Sequence, residues 1–419
     1  MNLVLRVASS LPGLQRSQWW PAHRIRQSQE LAIGVQMRHA LRHVPFYRDL
    51  GIDPGAITGL GQLERFPLLT KRQIQVDPRR LIADGHRPDP VRSSFTSGSS
   101  GEPMTTYFDA DSWALCRYGL KLRRILAYTM PVARRSVTVT LQPPERVRAH
   151  SSQRPMRSFG LLREEFVSVF EDIERQRSTF EYAHPHFVHG PPSQLIELAR
   201  HCERIGRPVP AVPLIFTSSE LLTPAVRLAI EAKYGARVVD IYGSTEFKEV
   251  AWQCPNGRYH LNFESVFVET LSDDDGSSRL VLTSLCNRAM PLIRYDIGDL
   301  GDLEWGPCPC GRKSPALARL QGRRVDILVL PSGRRISQYV LEGYLEALPG
   351  LTRYQIVERG GAELEILYVA AQDLAGPSMD QCRRQLAEHF QEPMRLRFTR
   401  VDHIARTPGG KHRVMVKAA

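Results

Sequence analysis

One short stretch of the chain, residues 94–103, reads SFTSGSSGEP and consists mainly of serine, threonine and glycine. Glycine lets backbone N–H groups approach an anion closely, and hydroxyl groups add further hydrogen-bond donors, so this composition suits phosphate binding. The same residue types are common in ordinary turns, which leaves both interpretations open for the stretch alone. A Walker-type phosphate loop is excluded, because no lysine follows the glycine and the next residues, MTTYFD (104–109), alternate like a strand.

A second set of candidate ligands lies in two segments that contain glycine and proline, CPNGRYH (254–260) and CPCG (308–311). Three thiolates and one imidazole form a closed tetrahedral set, which is typical of structural zinc and leaves no open position for catalysis. The predicted ligands are Cys254, His260, Cys308 and Cys310. The alternative is that these are free thiols beside a surface histidine. Three further histidines, in HPHFVH (184–189), are predicted to be packing or pocket residues.

The elements that must position these residues follow a repeated order of strand, polar turn and helix. Strand-like runs at 135–141, 212–220 and 236–246 alternate with helical patterns at 194–206 and 224–235. This order predicts an α/β body with a largely parallel sheet, in which ligands bind at the ends of the strands. From about residue 320 onward the pattern changes to a compact α+β unit.

Composition limits the class of protein. The chain has 419 residues, of which 42% are hydrophobic, and a net charge of +12, so we expect two or three domains. It contains no apolar run long enough to span a membrane, and its start lacks the order of a secretory signal, so we expect a cytoplasmic protein with no membrane span. Its seven cysteines are not expected to form disulfides.

The basic residues are mostly arginine, since only seven lysines occur among 56. The arginines are spread along the whole chain without a basic, aromatic-rich block, so no nucleic-acid partner is expected. The surplus positive charge favours anionic small molecules.

Six segments, taken together in chain order, resemble the motif series of a known protein family. They are FTSGSSGEP (95–103), FTSSE (216–220), DIYGSTE (240–246), RYDIGDLG (294–301), GRRVDILVLPSGRRI (322–336) and TPGGKHR (407–413). In this series the chain resembles the adenylate-forming superfamily of acyl-CoA synthetases and adenylation domains. Within that superfamily it is similar to the phenylacetate-CoA ligase branch, which includes capsule-biosynthesis-associated and coenzyme F390 synthetase-like proteins. The resemblance covers roughly residues 30–415. It implies a large N-terminal α/β adenylation domain, residues 1–322, and a small mobile C-terminal α+β lid domain, residues 323–419.

The resemblance also implies a reaction: ATP-dependent conversion of a carboxylic acid to an acyl-adenylate, and then to a thioester with CoA. The β- and γ-phosphates would be held by Thr96, Ser97, Gly98, Ser99, Ser100 and Gly101. The nucleotide pocket would be lined by Ser218, Ser219, Glu220, Asp240, Ile241, Tyr242, Gly243 and Ser244. Tyr242 would stack on the adenine, and Asp299, assisted by Arg323, would bind the ribose.

The catalytic residues implied by the resemblance are Lys411, Thr245 and Glu246. Lys411 would contact the α-phosphate and the carboxylate, Thr245 would face the α-phosphate, and Glu246 would bind Mg²⁺, which prefers oxygen ligands. Comparable Cys/His segments occur in the phenylacetate-CoA ligase branch, where some members bind zinc. The residue at the family's hinge position, commonly Asp or Lys, is Val325 here, which places the hinge and the second half-reaction in question.

Several functions remain open from the sequence. The acyl group could be transferred to an amine, a carrier-protein thiol or a glycan hydroxyl instead of CoA, or the chain could be a nucleotide-binding module without catalysis. Kinship suggests an aromatic or medium-chain acid. We expect residues that select the acid in 140–150, 186–195 and 215–245.

Overall fold

The structure is a computed structural model that describes residues 3–95, 104–128, 134–151, 163–273, 276–323, 327–360, 362–407 and 409–418. Helices and strands alternate over residues 135–244, and strands follow one another with no described helix between them over 237–337. The α-helices of the described residues are α1 (Leu3–Ser17), α2 (Ala22–His43), α3 (Pro45–Arg48), α4 (Lys71–Val76), α5 (Ala110–Ala114), α6 (Leu120–Leu126), α7 (Pro144–Ser151), α8 (Ile173–Ala183), α9 (Pro192–Arg204), α10 (Pro224–Tyr234), α11 (Gln338–Glu346) and α12 (Pro377–Phe390). A π-helical turn, Leu115–Gly119, joins α5 to α6, and short 3-10 segments cover Pro54–Ala56, Leu60–Arg65, Pro78–Leu81 and Pro90–Arg92.

The described strands of seven or more residues all begin after residue 236. The full set of described strands is β1 (Ser93–Phe95), β2 (Thr105–Tyr107), β3 (Arg135–Thr140), β4 (Arg163–Ser168), β5 (Phe187–Gly190), β6 (Leu214–Thr217), β7 (Arg237–Ser244), β8 (Lys248–Gln253), β9 (Tyr259–Leu261), β10 (Val266–Ser272), β11 (Ser278–Ser284), β12 (Tyr295–Glu304), β13 (Ala316–Arg323), β14 (Ile327–Val329), β15 (Arg335–Ser337), β16 (Leu351–Gly360), β17 (Glu363–Ala370), β18 (Arg395–Arg400) and β19 (Met415–Lys417). The strand predicted after the Ser/Gly stretch is confirmed by β2.

The helix α10 illustrates how local sequence sets these bounds. Thr223 caps its first turn by accepting a hydrogen bond from the backbone N–H of Val226 at 3.2 Å, and Pro224 occupies the first helical position, where no N–H is needed. Gly235 ends the helix in the left-handed region with φ of 60°, which glycine adopts without strain. The helix predicted over 224–235 is therefore confirmed.

The chain divides into two compact units, each of which combines two separate stretches of sequence. The first unit contains residues 1–130 and 239–320. Its sheet has the strand order β10-β11-β12-β13-β9-β8-β7, and the pairs β7–β8, β8–β9, β9–β13, β10–β11 and β11–β12 are antiparallel. Its core packs α2 against these strands, with fully buried residues such as Ile33, Met37, Phe66 and Tyr295 at the centre.

The second unit contains residues 131–238 and 321–419. Strands β6, β5, β3 and β4 form a parallel sheet in that order, connected through helices, as predicted for an α/β body. Its later part has a separate four-stranded sheet in the order β18-β17-β16-β19, whose core includes residues from α11 and α12. This part confirms the predicted α+β region after residue 320.

The expectation of a largely parallel sheet holds only for β3 to β6. In the first unit the strands are joined by short turns and loops, which favour antiparallel neighbours because a parallel neighbour needs a long crossover. Within the described ranges, no helix combines the length and apolar character needed to cross a membrane.

Candidate active site

The turn between β7 and β8 carries the DIYGSTE motif and is tightly built. Gly243 lies so close to the next strand that a β-carbon there would be 2.3 Å from the carbonyl oxygen of Lys248. Only glycine fits this approach. The hydroxyl oxygen of Ser244 then accepts a hydrogen bond from the backbone N–H of Phe247 at 3.1 Å, which closes the turn around Thr245 and Glu246.

Two residues with predicted nucleotide roles contact each other directly. The hydroxyl group of Tyr242 donates a hydrogen bond to Asp299 Oδ2 at 2.8 Å, and both side chains are half-buried. The structure thus brings together the aromatic ring predicted to stack on adenine and the carboxylate predicted to bind ribose.

Asp240, two residues before Tyr242, is buried and supports the strand. Its Oδ2 accepts a hydrogen bond from the Tyr259 hydroxyl at 2.5 Å, and its backbone N–H donates to the side-chain oxygen of Gln253 at 3.0 Å. Ile241 is buried as well, so these two residues form the base of the motif.

The predicted magnesium ligand, Glu246, is only 8% exposed. The Tyr295 hydroxyl on β12 donates a hydrogen bond to Glu246 Oε1 at 3.0 Å, which fixes the orientation of the carboxylate. A carboxylate held in this way is a suitable oxygen ligand for a hard cation that also binds phosphate.

Lys248, two residues further on, was not identified from the sequence. Its ammonium nitrogen lies 5.1 Å from the ring centroids of both Phe108 and Trp113, and burial lowers its pKa to about 7. The scarcity of lysine could have indicated this residue, because the chain has only seven lysines among its 56 basic residues.

In the second unit, the carboxyl ends of β5 and β6 bring polar side chains together. His189 Nε2 lies 2.8 Å from the hydroxyl oxygen of Ser218, and Ser219 adopts a left-handed backbone conformation with φ of 77°. Glu220 accepts hydrogen bonds from both the backbone N–H and the hydroxyl group of Ser193, at 3.0 and 2.9 Å. Three residues predicted to line the nucleotide pocket therefore form one turn.

The segment that carries Lys411 lies against this turn. The backbone N–H of His412 donates to Glu220 Oε1 at 3.4 Å, and His412 Nε2 lies 2.9 Å from the carbonyl oxygen of Tyr354. Gly410 has φ of 76°, and a β-carbon there would be 3.0 Å from the side chains of Phe170 and Val169. A close approach at a positive φ explains why glycine precedes the lysine.

Arg323 is the last residue of β13 and belongs to the second unit. Val325, at the predicted hinge position, lies outside the described residues. The predicted phosphate-binding residues do so too, namely Thr96, Ser97, Gly98, Ser99, Ser100 and Gly101.

The predicted zinc ligands Cys254, His260, Cys308 and Cys310 form a single cluster in the first unit, with all four ligand atoms within 4.8 Å of one another. The sulfur atoms of Cys254 and Cys308 are 3.7 Å apart, and the Cys310 sulfur is 3.4 Å from His260 Nε2. His260 Nδ1 lies 3.3 Å from the carbonyl oxygen of Ser314, so Nε2 is the nitrogen that faces the cluster.

The electrostatics of this cluster suit a thiolate-binding metal. Burial raises the pKa of Cys254 to about 12 and lowers that of His260 to about 4, so without a cation these two donors are held neutral. A divalent ion compensates the charge of the thiolates, and a histidine oriented through its second nitrogen is typical of metal ligands. The four residues therefore fit zinc, and that they bind it stays a prediction.

An aromatic contact supports the same region. The Arg312 guanidinium lies 4.7 Å from the ring centroids of both Trp19 and Trp252, and it donates a hydrogen bond to the side chain of Gln18 at 2.8 Å. The segment after α1 thereby packs against Arg312, which comes shortly after the cluster residues Cys308 and Cys310 in the sequence.

No protein-family model matches the chain. The chain is 26% identical over 373 residues to phenylacetate-coenzyme A ligase of Thermus thermophilus, which covers 82% of this chain and 80% of that protein. It is 26% identical over 337 residues to the enzyme of the same name from Aromatoleum evansii, covering 70% of this chain and 69% of that one. Protein CapK of Staphylococcus aureus is 24% identical over 205 residues, which are 48% of this chain and 46% of CapK.

Solved structures share the fold. The structure of 2-hydroxyisobutyryl-CoA ligase in the postadenylation state, in complex with 2-HIB-AMP, matches with a TM-score of 0.75 at 20% identity, over 96% of this chain and 91% of that one. The amide bond synthetase McbA from Marinactinospora thermotolerans matches with a TM-score of 0.52 at 18% identity, over 78% and 69%. The predicted resemblance is thus confirmed: the chain shares its fold with adenylate-forming acyl-CoA ligases and is similar in sequence to phenylacetate-coenzyme A ligases.

Proposed function

We propose that the protein is an ATP-dependent carboxylate ligase, which forms an acyl-adenylate and then an acyl thioester with coenzyme A. The contact between Tyr242 and Asp299 carries this proposal, because it joins a ring able to cover a purine to a carboxylate able to accept ribose hydroxyls. The similarity to phenylacetate-coenzyme A ligase over 82% of the chain supports the same reaction.

In the first step, a carboxylate oxygen of the acid attacks the α-phosphorus of ATP, and the bond from that phosphorus to pyrophosphate breaks. We assign to Lys411 the stabilisation of the negative charge that develops between the two reactants, and to Thr245 a contact with the α-phosphate. Glu246 would hold the Mg²⁺ ion, which neutralises phosphate charge when it is bound. The acid itself is activated only while all three contacts are in place.

In the second step, the thiol sulfur attacks the acyl carbon, the bond to the phosphate oxygen breaks, and AMP leaves. We propose that residues 323–419 act as the lid domain that moves between the steps, and residues 1–322 as the adenylation domain. An amine, a carrier-protein thiol or a glycan hydroxyl would replace CoA only in this second step.

We also propose that the Cys₃His cluster binds one structural zinc ion. Its role is to hold the segment around residue 254 to that around residue 308. No step of the reaction passes through it, because the protein itself supplies all four ligands.

The first test is carboxylate-dependent exchange between ATP and pyrophosphate, measured over a panel of aryl, aliphatic and hydroxy acids. We expect exchange with some acids and a loss of about 10²–10³-fold in Lys411→Ala, because one well-placed donor to the transition state is removed. Lys417→Ala is the matched control, since Lys417 is 64% exposed and pairs with Glu358 on the sheet of the same unit.

Absence of exchange with every acid, in protein that binds ATP, would contradict the proposal and favour a nucleotide-binding module. Exchange without thioester formation would keep the adenylation step and replace CoA by another acceptor. Amines and carrier proteins are then the acceptors to test.

A further inference from the structure

One side of the helix α9 contacts the C-terminal part of the second unit through Gln194, Glu197 and Arg200. Gln194, Glu197 and Arg200 are spaced three residues apart, which places them on one face of the helix. At the far end, Arg200 donates hydrogen bonds to the carbonyl oxygens of Leu351, at 2.9 Å, and of Thr352. The face therefore serves as a docking surface for residues after 350.

The centre of this surface is Glu197, which accepts from two guanidinium groups. Arg406 Nη2 donates to Glu197 Oε2 at 2.8 Å, and Arg353 donates to the same oxygen. Glu197 is 41% exposed, whereas Arg406 is 13% exposed. Two cations thus converge on one carboxylate at the edge of the contact.

Arg406 connects this carboxylate to the lysine segment. Its Nη1 donates to the carbonyl oxygen of Gly410 at 3.1 Å, and its Nη2 also donates to the side chain of Gln194. One guanidinium therefore binds α9 on one side and the residue immediately before Lys411 on the other. We define residues 406–412 as the Lys411 loop; residue 408 lies outside the described ranges.

Within the Lys411 loop, Thr407 forms hydrogen bonds with Lys411. The backbone N–H of Thr407 donates to the carbonyl oxygen of Lys411 at 2.9 Å, and the backbone N–H of Lys411 donates to the Thr407 hydroxyl at 3.1 Å. The backbone of Lys411 is thus fixed to Thr407, so any contact that holds Arg406 also holds the lysine.

We propose that Glu197 is a positioning residue: through Arg406 it clamps the Lys411 loop to α9, and this clamp sets the position of the lysine for the adenylation step. The inference rests on the proposed function, because it assigns Glu197 to that half-reaction. A partly exposed carboxylate is suited to a contact that forms and breaks, since water can replace the guanidinium groups when the loop leaves.

The kinetic test separates the two half-reactions. We expect Glu197→Ala to slow ATP–pyrophosphate exchange about fivefold, as for the loss of an exposed ion-pair network. Thioester formation from supplied acyl-adenylate and CoA should be unchanged. Glu203→Ala is the matched control, because Glu203 lies on the same helix, is 51% exposed and pairs with Lys233 instead. The double variant Glu197→Ala/Arg406→Ala should be no slower than Arg406→Ala alone.

A second measurement tests whether Glu197 holds the Lys411 loop, and it does not depend on enzymatic activity. In the full-length protein, amide hydrogen exchange of residues 409–413 should be about fivefold faster in Glu197→Ala than in the wild type, and unchanged in Glu203→Ala. If the wild type shows no pyrophosphate exchange, the proposed function fails while this measurement still tests the clamp. Unchanged protection in Glu197→Ala, or an equal loss in both half-reactions, would overturn the inference.

Discussion

Tyr242 and Asp299 are 57 residues apart in the chain, yet their side chains meet at 2.8 Å. Their hydrogen bond uses the hydroxyl hydrogen of the tyrosine and holds its ring beside the carboxylate. The pair can therefore be organised before a nucleotide binds, which reduces the ordering that binding requires.

At the residue scale, we predict that Tyr242→Phe weakens ATP binding about fivefold, because the change keeps the ring and removes only the bond that orients Asp299. Calorimetric titration with ATP measures this directly. Tyr182→Phe is the matched control, since Tyr182 is 84% exposed. An unchanged dissociation constant for ATP in Tyr242→Phe would remove this pair from the nucleotide site.

At the scale of elements, the position of Lys411 depends on how the Lys411 loop packs against the rest of the second unit. His412 contributes to this contact with its backbone N–H and its ring, and the residue is half-buried. Burial lowers the pKa of His412 to about 4, further helped by Arg353 and Arg406 and opposed by Glu220. The ring is therefore neutral when the loop is docked.

The lowered pKa of His412 determines the direction in which docking of the Lys411 loop depends on pH. A histidine in water has a pKa of about 6.5, so the undocked loop binds a proton more readily than the docked loop. The contribution of His412 to docking is complete above pH 6.5 and is lost as the pH falls from 6.5 toward 4.

We predict that hydrogen-exchange protection of residues 409–413, taken as the ratio of wild type to His412→Gln at each pH, falls about tenfold from pH 7 to pH 5. The ratio cancels the intrinsic pH dependence of amide exchange, because both proteins share it. A constant ratio would show that the ring of His412 does not become charged when the loop leaves.

At the scale of the whole molecule, the Cys₃His cluster brings together residues of the first unit that are distant in sequence. Cys254 follows β8, and Cys308 lies 54 residues later, after β12. The turn before β9 and the loop before β13, two strands that pair with each other, meet at this cluster, so we expect loss of the proposed zinc ion to lower global stability.

We predict that purified protein contains one zinc ion per chain, and that a chelator lowers the melting temperature by about 5–10 °C. Cys310→Ser should lose the zinc. Cys382→Ser, which makes the same change at a buried thiol in the second unit, should retain it. A chain without zinc, or a melting temperature that the chelator does not change, would indicate free thiols.

The sequence predicted those features that have a local pattern. The helix over 224–235, the strand of DIYGSTE and the grouping of the four metal-ligand residues each depend on residue type and short spacing, and each is found in the structure. The antiparallel sheet of the first unit was not predicted, because a buried apolar strand looks the same whichever way its neighbour runs.

Long-range side-chain contacts were missed for a related reason. Glu197 and Arg406 are 209 residues apart, and nothing in either neighbourhood indicates the partner. The burial of Lys248 depends on aromatic rings at positions 108 and 113, which belong to a different part of the chain. Such contacts follow from the tertiary fold, which local spacing does not encode.

The stacking of Arg312 between Trp19 and Trp252 has a spectroscopic consequence. Two of the five tryptophans of the chain share this one cation, which follows the metal-ligand residues of CPCG directly in sequence. Indole fluorescence depends on nearby charge and water, so the emission of these rings reports on the packing around the cluster. We therefore expect intrinsic fluorescence to change when the proposed zinc ion binds, without any probe attached to the protein.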